Sequence, residues 1–153
     1  MPKTSEIEIC FARTEELAAA AELRHQLGLD MNNDWDAIYD GWRERFVSHF
    51  DQTQKAGIGQ VILAKAGEEI VGMLAVSLIE DYHVHVTGRR SGRVNAVYVK
   101  PEFRRRGAAR QMMEEGMRWL KERGCEAVRL NSSEQGIHLY ESLGFKPRRE
   151  MEL

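Results

Sequence analysis

The chain has 153 residues, of which 42% are hydrophobic and 30% charged; 22 Lys and Arg against 24 Asp and Glu leave a net charge of −2. That length is one domain as a prior and buries roughly 68–70% of its unfolded surface, enough for one sizeable core. The balance excludes a disordered or fibrous chain, and the charge gives no general reason to expect nucleic acid or an anionic membrane as a partner. The longest apolar runs, such as 70–78, are too short to span a bilayer. Residues 1–10 hold Lys3, Glu6 and Glu8 and lack the apolar centre of a signal peptide. Cys10 and Cys125 are the only cysteines. They form no disulfide framework or zinc site, so we expect buried thiols in a reducing, cytoplasmic setting.

In chain order, residues 4–12 alternate Ile7, Ile9 and Phe11 against Glu6, Glu8 and Cys10, as a half-buried strand does. Thr14 caps a helix whose Leu17, Ala20, Ala21, Leu23 and Leu27 recur at helical spacing up to Gly28. Asp34 caps a second helix running to about Gln54, along which Trp35, Tyr39, Trp42, Phe46 and Phe50 form one aromatic stripe, first of all core packing. Residues 60–66 and 69–79, joined by Gly67-Glu68, read as a hairpin. Residues 80–92 read as polar and irregular. A strand over 93–99 stops at Pro101, which has no donor for a ladder. An amphipathic helix fills 107–123 and ends at Gly124, followed by a strand over 127–130, a helix over 134–142 and a last strand from Phe145. The order β-α-α-β-β-β-α-β-α-β, without repeat or linker, makes residues 1–153 a single mixed α/β domain.

The stretch 94–113 carries the chemistry. A strand ends at a proline, and a basic loop with a glycine opens directly into a helix. The first N–H groups of a helix have no internal partners, and the dipole puts partial positive charge there. Gly107, Ala108 and Ala109 let an anion approach the main chain, and residues 100–110 hold five basic residues against one acidic. A basic cluster is usually only a solvated face. Cations in a first helical turn nevertheless oppose the dipole, so Arg104, Arg105 and Arg106 favour an anion between them. The nucleoside-triphosphate loop is excluded because no Gly-Lys-Ser/Thr follows, and the dinucleotide fingerprint because it needs three glycines.

Residues 97–109, Val-Tyr-Val-Lys-Pro-Glu-Phe-Arg-Arg-Arg-Gly-Ala-Ala, resemble the acetyl-CoA-binding motif of the GNAT N-acetyltransferases, with Arg104, Gly107 and Ala109 at its three defined places. Residues 139–145, Leu-Tyr-Glu-Ser-Leu-Gly-Phe, resemble that family's second signature. The resemblance implies a GNAT-like fold, a central, mostly antiparallel mixed sheet flanked by helices. It also implies acetyl-CoA as co-substrate, held by Arg105, Arg106, Gly107, Ala108, Ala109 and Arg110 around its pyrophosphate, mostly through amides. The edge of Val97, Tyr98 and Val99 would pair with the pantetheine arm where this strand splays from the next. A backbone N–H near Val97 would polarise the thioester, and Tyr140 would protonate the departing thiolate. Ser133 stands where the family often has Asn. The acceptor amine would attack directly in a ternary complex, and many relatives are dimers.

No base is evident. Asn95 lies on the strand where some members have a glutamate; it could orient a water. Glu80, Asp81, His83 and His85 read as solvated loop residues. His83 and His85 would share a strand face, but two ligands without a third make no metal site, so none is expected. His138 reads as a helix-surface residue. In the family the first helices cover the acceptor, so Tyr39 or Trp42 could hold an ammonium by its aromatic face, with Asp30, Asp34, Asp36 and Asp40 nearby. A non-catalytic acyl-CoA-binding or regulatory domain is the alternative and would bind cofactor without releasing thiol. A nucleic-acid module using Arg104–Arg110 is disfavoured by net acidity and the lack of interleaved aromatics.

Overall fold

The computed structural model describes residues 6–153. Strand β1 is Ile7–Phe11; Thr4 and Ser5 of the expected strand lie outside the described residues. A 3-10 turn, Thr14–Glu16, leads into α1 (Leu17–Asp30), followed by α2 (Trp35–Ile38) and α3 (Trp42–Ala56). The hairpin forms as β2 (Gly59–Ala66) and β3 (Glu69–Ile79). Then come α4 (Tyr82–Thr87), β4 (Arg90–Val99), α5 (Ala108–Glu122), β5 (Cys125–Arg129) and α6 (Ile137–Ser142).

Three expectations change. The single helix from Asp34 is broken at Gly41, whose φ of +73° starts α3 afresh. The aromatic stripe is therefore spread over two helices and the turn between them. Residues 80–92 are not irregular, because the Asp81 carboxylate accepts from the His83 N–H at 2.9 Å and starts α4. Residues two apart on a helix point about 200° apart, so His83 and His85 do not share a face. Finally, no strand follows Phe145: the segment 145–153 has no regular structure.

The sheet runs in sequence order, β1-β2-β3-β4-β5, antiparallel except for the parallel pair β4–β5. Both faces are covered, which explains why Val61, Ile62, Leu63 and Ala64 are all buried where one-sided alternation would leave every second residue exposed. Ile62, Leu74, Val76 and Val94 pack against Met112, Met113 and Leu120 of α5. Val61, Leu63, Met73 and Tyr98 pack against Leu17, Ala20 and Leu23 of α1. An ion pair closes the entry to α1. Burial alone would raise the Glu16 carboxyl, but hydrogen bonds from Lys65 and from the Arg13 N–H and side chain prevail and hold it at about 2.

Two irregularities in β4 shape the site. Opposite Met73–Ala75 the register shifts, so Ala96 and Val97 together face Leu74, and Ala96 takes φ +56°. That is a bulge, which bends and twists the strand. On its other side β4 pairs with β5 only as far as Arg93↔Arg129, although β4 continues to Val99. Beyond that point the two strands leave a gap with an unpaired edge.

Candidate active site

A groove of about 810 Å³ opens at that gap. Its walls are the edge Val97, Tyr98 and Val99, the loop and first turn of α5, the turn 133–136 before α6, and Tyr140. The loop turns twice through the left-handed region, at Arg105 (φ +65°) and at Gly107 (φ +79°). At such φ a side chain is strained, and a Cβ at Gly107 would meet nothing nearer than the Gln111 amide nitrogen at 3.8 Å. The glycine is thus there for its conformation and leaves an open main-chain cradle at the start of a 15-residue helix. Ala108 and Ala109 line the groove beside it.

The arginines mostly brace the cradle. Arg104 Nε donates to the Val99 carbonyl at 2.8 Å, and its guanidinium lies 5.5 Å from the Tyr98 ring centroid and 3.8 Å from Asp30. Arg106 sits over Phe103 at 5.3 Å. Arg110 donates to Ser142 Oγ at 2.6 Å and ties α5 to α6. Arg105 and Arg110 line the groove.

Tyr140 is 8% exposed, and burial pushes its phenol above the usual tyrosine range, so it stays protonated at neutral pH. Its position depends on Gly136, where a Cβ would lie 2.7 Å from the Tyr140 ring. Ser133 Oγ accepts from the Gly136 N–H at 3.2 Å and fixes that turn. On its far side Tyr140 meets Phe145 edge-on, centroids 6.1 Å apart, and the Phe145 N–H donates to the Tyr140 carbonyl at 3.0 Å. Tyr140 also lines a second cavity of about 530 Å³, between β5 and the segment 145–150. Tyr140 therefore lines both openings.

The other sequence candidates lie apart. Asn95 is exposed on β4 and lines neither opening. Tyr39 is 49% exposed and Trp42 only 5%, and the shallow depression they share does not reach Tyr140. The Trp42 indole donates to Asp36 at 2.8 Å, and Asp36 also pairs with Arg43, which together hold its carboxyl down at about 2. Asp34 accepts from His25 at 3.1 Å and from the Asp36 N–H at 3.0 Å. The ligand atoms of His25, Asp34 and Asp36 fall within 4.8 Å of one another, but these bonds account for them as a clamp on α2.

The family model described as "Acetyltransferase (GNAT) family" matches residues 28–145. The chain belongs to that family. As a GNAT protein it is an acyltransferase with acetyl-CoA as its acetyl donor. A curated relative, glucosamine 6-phosphate N-acetyltransferase of Trypanosoma brucei brucei, is 31% identical over 105 residues, covering 67% of this chain and 70% of that protein. The fold matches a predicted acetyltransferase of Clostridium acetobutylicum solved with acetyl-CoA (TM-score 0.83, 20% identity, 97% of this chain and 96% of that one). It also matches glucosamine-6-phosphate N-acetyltransferase of Arabidopsis thaliana (TM-score 0.75, 17% identity, 97% of each chain).

Of this GNAT chain's expected residues, the structure brings Val97, Tyr98, Val99, Arg104, Arg105, Gly107, Ala108, Ala109, Arg110, Ser133 and Tyr140 around one groove. Arg106 stands just outside its lining. Sequence reasoning did not place Leu27 and Met31 at the groove, which they close from the end of α1 together with Asp30, named there only as an acidic residue near an ammonium, and it missed the second cavity altogether. The dibasic Arg148-Arg149 was the one visible signal for the latter. No helix among the described residues is long and apolar enough to cross a membrane.

Proposed function

We propose that the protein transfers acetyl from acetyl-CoA to a primary amine, by direct attack in a ternary complex. The observation that carries this is Tyr140, a buried phenol held above the usual tyrosine range by burial, which lines both openings beside the end of the β4–β5 pairing. The groove fits the donor: the left-handed Gly107 exposes amides for a pyrophosphate, and the β4 edge offers main-chain partners to the amides of a pantetheine arm.

Bound acetyl-CoA supplies an activated acetyl thioester. The chain's own residues then do four things. Amides of 105–110 hold the anionic end, with Arg105 and Arg110 beside them. The edge of Val97 to Val99 aligns the arm, and Ser133 lies across the groove from it. A backbone N–H near Val97 donates to the oxygen that gains negative charge. Tyr140 gives its proton to sulfur as the C–S bond breaks and the C–N bond forms, and water takes the proton shed by the amine. The free thiols of Cys10 and Cys125 suit a reducing compartment such as the cytoplasm.

A thiol-release assay with a panel of amines, glucosamine 6-phosphate included because a relative bears that name, tests the reading. Acetyl-CoA-dependent release with at least one amine supports it. Tight binding with no release from any amine would leave a non-catalytic acyl-CoA-binding domain instead.

A further inference from the structure

The second cavity is more cationic than its surroundings explain. Arg93 at the last β4–β5 pairing, Arg129 at the end of β5, and Lys146, Arg148 and Arg149 of the final segment all line it, against only Glu141 and Glu150. None of the five cations makes an ion pair among the described residues, whereas Arg43, Arg104 and Arg118 elsewhere do. The Arg129 Nε is shielded from solvent and has no hydrogen-bond partner among the described residues. A shielded guanidinium donor without an acceptor is costly, and unpaired like charges facing one space repel each other. The protein as a whole is acidic, so this concentration of charge is local.

The three segments meet there for a structural reason. The left-handed turn at Gly144 (φ +96°) and the Phe145 contacts to Tyr140 direct the final segment back across the end of β5. The same phenol that faces the donor groove is thus one wall of the cationic cavity.

We infer that this cavity takes the acid group of the acceptor, so that the substrate is an amine that also carries a phosphate or a carboxylate. Planar guanidinium forks bind both groups through paired hydrogen bonds. An acid anchored beyond Tyr140 leaves the amine end of the same molecule facing the gap between β4 and β5. This inference rests on the acetyltransferase reading for its geometry and extends it to the class of acceptor.

The test saturates the protein with CoA, filling the donor groove, and titrates inorganic phosphate and, separately, acetate at constant ionic strength. The same titrations are run on Arg148→Ser/Arg149→Ser, whose changes lie in the irregular final segment, and on Arg129→Ala. Saturable binding of one anion to the wild type, weakened at least tenfold in both variants while the acetyl-CoA Kd stays within twofold, is the expected result. Tighter phosphate than acetate assigns a phosphorylated amine, and the reverse assigns an amine carboxylate. No saturable binding of either anion, or binding that survives both variants, overturns the inference. Should acetyl-CoA itself fail to bind the wild type, the acetyltransferase reading falls. The anion titration of the free chain, scored only on the component that the variants remove, would still decide whether the cavity binds an acid.

Discussion

The two openings that meet at Tyr140 are built by different means. In the proposed donor groove the surface we assign to binding is mostly main chain: a left-handed glycine, the first turn of α5 and the bare edge of β4. Across the phenol the surface is side chain, with cations from β4, β5 and the final segment converging from positions far apart in sequence. A backbone cradle recognises the invariant part of a ligand and tolerates exchange of the side chains around it. A cavity of side chains recognises what varies, and single substitutions can retune it.

That difference can be broken or sharpened by substitution. The largest effect is expected from Gly107→Glu, which puts bulk, strain and negative charge into the cradle; acetyl-CoA affinity by calorimetry should fall more than a hundredfold, about 3 kcal/mol or more. Arg106→Ala, by contrast, should change that affinity less than threefold, because its guanidinium lies on Phe103 outside the groove. A large loss there would mean that side chains, not amides, hold the anion.

Tyr140→Phe removes the proposed proton donor and keeps the ring. We expect kcat to fall about a hundredfold with the KM for acetyl-CoA within threefold, in line with the usual size of general-acid effects. Because burial raises the phenol, wild-type activity should not lose this acid until pH passes above the ordinary tyrosine value of 10. An unchanged kcat in the variant would assign the proton to another group.

Smaller effects test the scaffold. Trp42→Ala should lower stability by about 3 kcal/mol in denaturant melts while leaving both KM values within twofold, since Trp42 is buried and lines neither of the openings at Tyr140. A selective rise in acceptor KM would return the aromatic helices to the site. Glu16 is held at about 2 against an ordinary 4.5, so its contribution is fully present above pH 4.5 and drains away as pH falls towards 2. Glu16→Gln should therefore cost about 2 kcal/mol at pH 7 and flatten that part of the acid-stability profile.

The contrast also explains what the sequence disclosed. A main-chain site lies within a short run, so Arg104, Gly107 and Ala109 at set spacing, with Tyr140 downstream, were legible, as was the hairpin closed by Gly67-Glu68. A side-chain site is assembled by topology. Arg93 and Arg129 become neighbours only because β4 and β5 run parallel, which no local pattern announces. The steps of four and three along Trp35–Phe50 read as one helix because helical period cannot register a restart at Gly41. The last strand expected from Phe145 does not form; past the turn at Gly144 the segment instead brings Arg148 and Arg149 to the cavity. Three of the four acidic residues chosen for an ammonium, Asp34, Asp36 and Asp30, turned out to be engaged by His25, Arg43 and Arg104.

The most direct test of the donor groove is a calorimetric titration of acetyl-CoA into the wild type and into Gly107→Glu, with a melt of each to show that both fold. Saturable binding to the wild type and none to the folded variant is the predicted result. Equal binding to both, or no binding to the wild type, would contradict the assignment of the groove at 104–110.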